Sequence, residues 1–416
     1  MSPLKSKIPM NERPFNDRLM DEINYRMSNV EEIDVGGKSI PRYAGEFWTS
    51  KQRQAHSLHE ISYRACFKPQ LPKFFIELLS NTGDTVYDPF SGRGTTVLEA
   101  GLLGRRIAAN DANPLSALFS RPRFEPPTIE KIEERLASIP IDEHAEADID
   151  LSMFYHSATE AEIVSLKDFL QSRKDAGQED DADRWIRMAA TNRLTGHSPG
   201  FFSVYTLPPN QAVSPASQKK INERLKQRPE YRDVRALILK KSRALLGDLT
   251  PEDRQRLLKA GESARFLSCD ARETKAIGDQ SIQLTVTSPP FLDVVDYTQD
   301  NWLRCWFNGI DSEEIEKKIT SVRTPEEWSA VMFGVFRELF RITRPRGFVA
   351  FEVGEVKKKI MLDEIVAPLG MKAGFKCIGI VLNEQQFTKT SNIWGVQNNE
   401  KGTNSNRIVI FRKESN

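Results

Sequence analysis

The stretch from Asp84 to Asp111 constrains this chain more than any other. A β-prone run, Asp84-Thr85-Val86-Tyr87-Asp88, follows the turn Thr82-Gly83 and passes into the glycine-rich Pro89-Phe90-Ser91-Gly92-Arg93-Gly94. A helix-like stretch from Thr95 to Leu103 comes next, and then a second β-run, Arg106-Ile107-Ala108-Ala109-Asn110-Asp111. Strand, loop, helix and strand at this spacing predict two neighbouring parallel strands joined by a right-handed crossover helix. Five more strand-like runs lie at 264–269, 282–287, 347–353, 375–382 and 406–411. Seven strands alternating with helices predict an open α/β sheet, whose ligands sit outside the carboxyl ends of the strands.

The spacing of these runs divides the chain. Residues 1–45 are polar and weakly periodic, and read as a peripheral arm ending near Gly36-Gly37 and Pro41. Residues 46–124 and 262–416 carry the strand signals and form the α/β domain. Residues 125–261 read mainly as helices, with Ile163, Leu166, Phe169 and Leu170 at helical spacing, and are taken as an insertion. No run approaches the roughly 20 apolar residues of a membrane span, and the first residues lack the apolar core of a secretory signal. Cys66, Cys269, Cys305 and Cys377 form no CxxC, so neither a zinc site nor a disulfide framework is expected, and the reading is a soluble cytoplasmic protein.

Two loops carry chemistry. In Asp88-Pro89-Phe90-Ser91-Gly92-Arg93-Gly94-Thr95-Thr96, glycines let backbone approach a ligand, and the following helix terminus favours an anionic group. Asp88 is placed to accept from a ligand's ammonium group, and Asp111, at the end of the second strand, to bind two ribose hydroxyls, which favours a nucleoside. The second loop, Ser288-Pro289-Pro290-Phe291, also follows a β-run; its prolines fix a stiff extended exit whose carbonyls no helix consumes.

Together these loops resemble the amino-methylating DNA methyltransferases, which pair a DPFxGxGTT cofactor loop with a (D/N/S)PP(Y/F) catalytic loop. The resemblance covers roughly residues 60–115 and 262–355. It implies a Rossmann-like seven-stranded methyltransferase sheet with a mainly helical inserted recognition region, and S-adenosyl-L-methionine as cofactor. By the same resemblance Phe67-Lys68-Pro69, Asp88, Pro89, Phe90, Gly92, Gly94, Thr95, Thr96, Asp111, Asp270 and Ala271 line the cofactor site, with Asp270 reaching the adenine amino group. Ser288, Pro289, Pro290 and Phe291 would be catalytic: Ser288 Oγ and the Pro289 carbonyl accept from the exocyclic amine, and Phe291 stacks on the flipped base. Serine in this motif is typical of cytosine-N4 enzymes, with adenine N6 open. No cysteine follows a proline, which disfavours ring-carbon methylation.

With a net charge of +1, nucleic-acid contacts must come from local patches. Between Lys219 and Arg243 ten bases face three acids, and the region from Glu130 to Asp150 is acidic. The resemblance makes double-stranded DNA the partner, with a restriction endonuclease as a further candidate. Phosphate contacts are expected from Lys219 and Lys220, base readout from Arg193, His197 and Ser198, and more DNA contacts from Lys389, Asn392, Asn398 and Arg407 in a long polar loop. The rivals are an RNA or protein amino-methyltransferase and an inactive nucleic-acid binder with the same fold.

Overall fold

The computed structural model describes residues 13–48, 55–63, 66–206, 212–290, 297–318, 324–356, 360–384 and 405–415. Nine strands form one sheet: β1 (Met27–Val35), β2 (Lys38–Gly45), β3 (Thr85–Asp88), β4 (Arg106–Asn110), β5 (Arg265–Leu267), β6 (Ile282–Thr287), β7 (Thr343–Val353), β8 (Lys376–Glu384) and β9 (Ser405–Arg412). Their spatial order is β1-β2-β8-β9-β7-β6-β3-β4-β5. From β7 to β5 all neighbours run parallel, whereas β9 is antiparallel to both β7 and β8. The expected α/β class is therefore what the chain adopts, and all seven expected strands are in it.

The order turns at β3. Its successor β4 lies on one side and β6 on the other, so the loops after β3 and β6 leave the same edge of the sheet side by side. This is the switch point of an open α/β sheet, where a crevice forms between diverging connections. Every residue of β6 is buried, as a central parallel strand requires, and Ile282, Leu284 and Val286 supply its apolar side chains.

Helices α1 (Phe15–Arg26), α2 (Gln70–Leu79) and α3 (Thr95–Leu102) precede or separate the first strands. Between β4 and β5 come α4 (Leu115–Ser120), α5 (Ile129–Ser138), α6 (Ser157–Asp175), α7 (Asp181–Arg193), α8 (Pro215–Leu225), α9 (Val234–Leu245) and α10 (Pro251–Glu262). After β6 follow α11 (Tyr297–Asp300), α12 (Trp302–Phe307), α13 (Ser312–Lys318) and α14 (Pro325–Ile342), and α15 (Leu362–Lys372) leads into β8. The start of α14 is set by a capping box: the Thr324 hydroxyl accepts from the Glu327 amide and the Glu327 carboxylate from the Thr324 amide. The α3 start depends on Gly94, at φ +77°, where a Cβ would stand 2.2 Å from Ser120 Oγ.

One feature departs from the expectation. The sheet has nine strands rather than seven, because the supposed arm contributes a hairpin. Gly36 (φ +60°) and Gly37 (φ +80°) make its two-residue turn, and β2 pairs in parallel with β8. Most of β1 is exposed at the edge, which removes the alternation that would have announced it. The hairpin is also tied down electrostatically. Asp363, fully buried at the start of α15, accepts from Arg42 of β2 at 3.0 Å and from Arg407 of β9 at 3.1 Å. Replacing it leaves the barely exposed Arg407 without an ion partner among the described residues, while Arg42 keeps Glu31 at 2.9 Å and Glu364 at 2.8 Å. Asp363→Ala should lower the unfolding free energy by about 2–3 kcal/mol in urea titration, mainly through the unpaired Arg407; a loss below about 1 kcal/mol would show the network to be dispensable.

Candidate active site at the carboxyl ends of the central strands

Two hydrogen bonds join the loops that the sequence separates by some two hundred positions. The Thr287 hydroxyl, at the end of β6, donates to Asp88 Oδ1 at 2.6 Å, and the Thr96 hydroxyl, in the first turn of α3, donates to the Val286 carbonyl at 3.0 Å. The glycine loop is closed from its other side by β4. Asp111 accepts from the Gly92 amide at 2.8 Å and from the Asn113 amide at 2.9 Å, and the Ser91 amide donates to the Asn110 carbonyl. Asn110, which sequence reasoning missed, is buried and donates from its amide to the carbonyls of Pro89 and Cys269. It thereby ties the glycine loop to the segment carrying Asp270 and Ala271. Only its place beside Asp111 could have singled it out.

The catalytic-loop candidates emerge next to this. Ser288 is half-buried, Pro289 buried and Pro290 exposed; Phe291 lies outside the described residues. Trp328 of α14 donates its indole N–H to the Pro290 carbonyl at 3.0 Å, which fixes the exit of the loop. Glu352 of β7 hydrogen-bonds the Ser288 hydroxyl and accepts from Asn406 of β9 at 2.8 Å. Burial raises the Glu352 carboxyl above its ordinary range, against these two hydrogen bonds. Glu352 and Asn406 were not foreseen, because nothing in a strand sequence says which neighbour it will lie against.

Other expected residues are distributed unevenly. Phe67, Lys68 and Pro69 lead into α2, with Pro69 as its N-cap residue. Thr95 and Thr96 are buried in the first turn of α3, Phe90 and Ala271 pack in the core, and Pro89 presents its carbonyl to Asn110. Asp270 is held by Arg272, whose Nε lies 3.0 Å from each carboxylate oxygen, and this pair keeps its carboxyl below the usual range. His197 and Ser198 stand on an exposed turn, while Phe201 and Phe202 beside them are core residues.

The basic block is a correction. It spans α8 and α9, and two of its ten cations are paired with the acidic stretch, so the two blocks are not separate surfaces: Lys219 pairs with Asp150 at 3.3 Å and Arg243 with Glu133. Lys220 is exposed and forms no ion pair among the described residues. Arg407 is a second correction. It sits within β9 on Asp363, since the strand begins at Ser405, and so belongs to the ion network and not to a polar loop. Lys389, Asn392 and Asn398 lie outside the described residues.

The crevice has the electrostatics of a site that wants a hydrogen-bond-donating or cationic ligand. Burial pushes Asp88 up to about 7 and Asp111 up to about 6, from an ordinary value of 3.8, despite the amides and hydroxyls that donate to them. Ser91 Oγ and Asn113 Nδ2 are buried without a hydrogen-bond partner among the described residues. Gly92 (φ +51°) adopts a backbone conformation that favours glycine, and a Cβ there would rest in ordinary contact with Cys66 Sγ and Tyr63 Cε1, both at 3.6 Å. These observations fit a nucleoside carrying a charged amino-acid tail. Among the described residues no group of His, Cys, Asp and Glu is arranged to hold a metal ion, and no helix is long and apolar enough to cross a membrane.

An open sheet with these two loops in contact at its switch point defines a Rossmann-like methyltransferase fold. Residues 8–146, which contain the whole glycine loop, match the model of the DNA methylase family of N6 and N4 amino-methyltransferases. The chain is similar to the Type II methyltransferase M.BsoBI of Geobacillus stearothermophilus, 25% identical over 74% of this chain and 62% of that protein. It is also similar to the Type II methyltransferase M.MvaI of Kocuria varians, 29% identical over 31% of this chain and 27% of that protein. The aligned parts thus span about a quarter to three-fifths of these relatives. A crystal structure of a putative DNA modification methylase of Thermus thermophilus, complexed with S-adenosyl-L-methionine, shares 22% identity over 36% of this chain and 54% of that one, with a TM-score of 0.23.

The raised carboxyls give a pH dependence of definite sign. Their ionisation is disfavoured by the fold, so each subtracts stability as pH rises from about 3.8 to about 6 for Asp111 and about 7 for Asp88. A ligand that donates to the ionised forms reverses this and releases protons. Titration calorimetry with S-adenosyl-L-methionine should show affinity rising with pH between about 5.5 and 7.5, by up to roughly tenfold per unit for each carboxyl. A flat profile would mean that neither carboxyl meets the ligand.

Proposed function

We propose that this protein is a DNA methyltransferase that moves a methyl group from S-adenosyl-L-methionine to the N4 amine of cytosine in a flipped base. The observation that supports the reading is the contact between the two loops, Thr287 on Asp88 and Thr96 on Val286, which brings the glycine loop beside the Ser-Pro-Pro turn. The family match of residues 8–146 and the similarity to Type II methyltransferases support it.

When bound, S-adenosyl-L-methionine supplies an electrophilic methyl group on a sulfonium. The Asp111 carboxylate would hold its ribose hydroxyls, the crevice beside Gly92 its sugar and tail, and the segment of Asp270 and Ala271 its base. Ser288 does the work on the substrate side. Its hydroxyl proton is committed to Glu352, so its oxygen lone pairs face the incoming amine as acceptors. The amine's lone pair is delocalised into the base, and acceptors at Ser288 and the Pro289 carbonyl draw the nitrogen toward tetrahedral geometry. The methylated nitrogen sheds one proton, and Glu352, whose raised carboxyl accepts a proton more readily than an ordinary glutamate, takes it through the Ser288 hydroxyl. Phe291 would stack on the displaced base and replace part of its lost stacking, a few kcal/mol. Residues 125–261 would carry target recognition, with the exposed turn at His197 and Ser198 reading bases.

Adenine N6 is the second reading, because the matched family covers both amines; cytosine rests on Ser288. Incubation with labelled S-adenosyl-L-methionine and duplex DNA, followed by nucleoside mass spectrometry, should yield N4-methylcytosine. N6-methyladenine would move the assignment to the second reading, and label in RNA or protein alone would remove DNA. Ser288→Ala should cut kcat by about 10²-fold while leaving cofactor affinity unchanged. An unaffected kcat would take Ser288 out of the chemistry.

A further inference from the structure

Three cations from three helices converge on the segment that precedes the glycine loop. Lys241 of α9 is buried, its side chain only 8% exposed, and its ammonium stands 3.7 Å from Glu60, whose own side chain is 62% exposed. Arg193, at the end of α7, holds its guanidinium carbon 4.0 Å from the centre of the Phe201 ring, and among the described residues its guanidinium donates to Asn192 and to the Gly200 carbonyl. Arg304 of α12 is buried and donates to the Ser62 carbonyl at 3.2 Å, a carbonyl that also takes the Asn192 amide at 3.1 Å. The field of this group is one-sided. Burial pushes Lys241 down to about 8, with the Arg193 charge adding to it, and Arg193 down to about 10, with Arg304 adding to it. The acid acting on both Lys241 and Arg193 is Glu60, and Asp300 acts on Arg304.

A buried lysine costs free energy unless an anion answers it, and the exposed Glu60 is screened by water. The cluster is also close to the chemistry. Tyr63 has its ring edge against the space at Gly92, and Arg304 lies over the same ring at 5.8 Å. Tyr63 therefore stands between Arg304 and the glycine loop. On the outer side of the cations Arg193 is half-exposed, next to the exposed His197-Ser198-Pro199 turn.

We propose that Arg193 and Lys241 form a phosphodiester-binding site that grips the DNA backbone beside the displaced base. This rests on the DNA reading above and changes one part of it: Arg193 holds backbone and does not read a base. Its planar guanidinium, oriented by Phe201, gives the geometry, and Lys241 beneath it gives a point charge. The site would make base displacement cooperative with backbone binding, since the same segment leads into the glycine loop.

The test is the salt dependence of binding to a short duplex, by fluorescence anisotropy, for the wild type, Lys241→Gln, Lys241→Arg and Arg193→Gln. Each glutamine variant should weaken binding several-fold and flatten the slope of log affinity against log salt by about 0.9, the signature of one lost phosphate contact, with Lys241→Arg near wild type. S-adenosyl-L-methionine affinity should be unchanged in all of them. Unchanged slopes in folded variants overturn the site. Lost cofactor affinity with intact DNA binding also overturns it, and assigns the cations to the cofactor's carboxylate. If Lys241→Gln does not fold, the half-exposed Arg193→Gln decides alone. A wild-type protein without DNA binding is a different result, because it removes the DNA reading itself.

Discussion

The hydrogen bond from Thr287 to Asp88 is the joint on which the molecule turns. It spans two parallel strands at their carboxyl ends and brings a residue from each of two loops into one buried contact. Without the adjacency of β3 and β6, the glycine loop and the Ser-Pro-Pro turn would be two unrelated surface features. With it, Asp88 is less an exposed ligand contact than a brace, 1% exposed, whose burial raises its own carboxyl. Asp111 plays the corresponding part on the β4 side, where it holds the Gly92 amide. The crevice is therefore framed by carboxylates that also support its walls.

Much of this was legible in the sequence, and the reasons differ by element. The seven strands were readable as short β-prone runs set between turns and helix-like stretches; in β6 the alternation of Ile282, Leu284 and Val286 with Gln283, Thr285 and Thr287 marks a strand, although every residue of it is buried. The glycine loop was readable because its conformation demands glycine: Gly94 has no room for a Cβ and Gly92 has positive φ. The hairpin of β1 and β2 was not, because an edge strand whose side chains are mostly exposed carries little hydrophobic pattern. The Gly36-Gly37 pair was its available signal.

Charge was harder to read than hydrophobicity. Linear blocks of acid and base looked like separate surfaces, but the fold lays parts of one against the other, as with Lys219 on Asp150 and Arg243 on Glu133. Conversely, isolated arginines acquired structural roles that no spacing announces. Arg93 donates to the Ile61 carbonyl at 2.7 Å and Arg123 to the Leu58 carbonyl at 3.1 Å, so the segment before the glycine loop is held by cations on its backbone. Arg123 is fully buried and burial pushes it down to about 9. Glu352 was illegible for a related reason: its meaning comes from Ser288 on one neighbouring strand and Asn406 on the other.

The interior position of β9 has a consequence for how the molecule assembles. Although last in chain order, it lies between β7 and β8, and the hairpin of β1 and β2 reaches the rest of the sheet through β8. Arg42 waits for an Asp363 that stands 321 positions later. Such long-range pairings slow folding, because the chain entropy of closing the loop is lost before the contacts form. The partner that steadies Glu352 beside Ser288 arrives on that same strand. The Asn406 support of Glu352 is thus among the last contacts this chain acquires, and a molecule with β9 undocked keeps Glu352 on the strand beside Ser288 but without the amide that holds its other side.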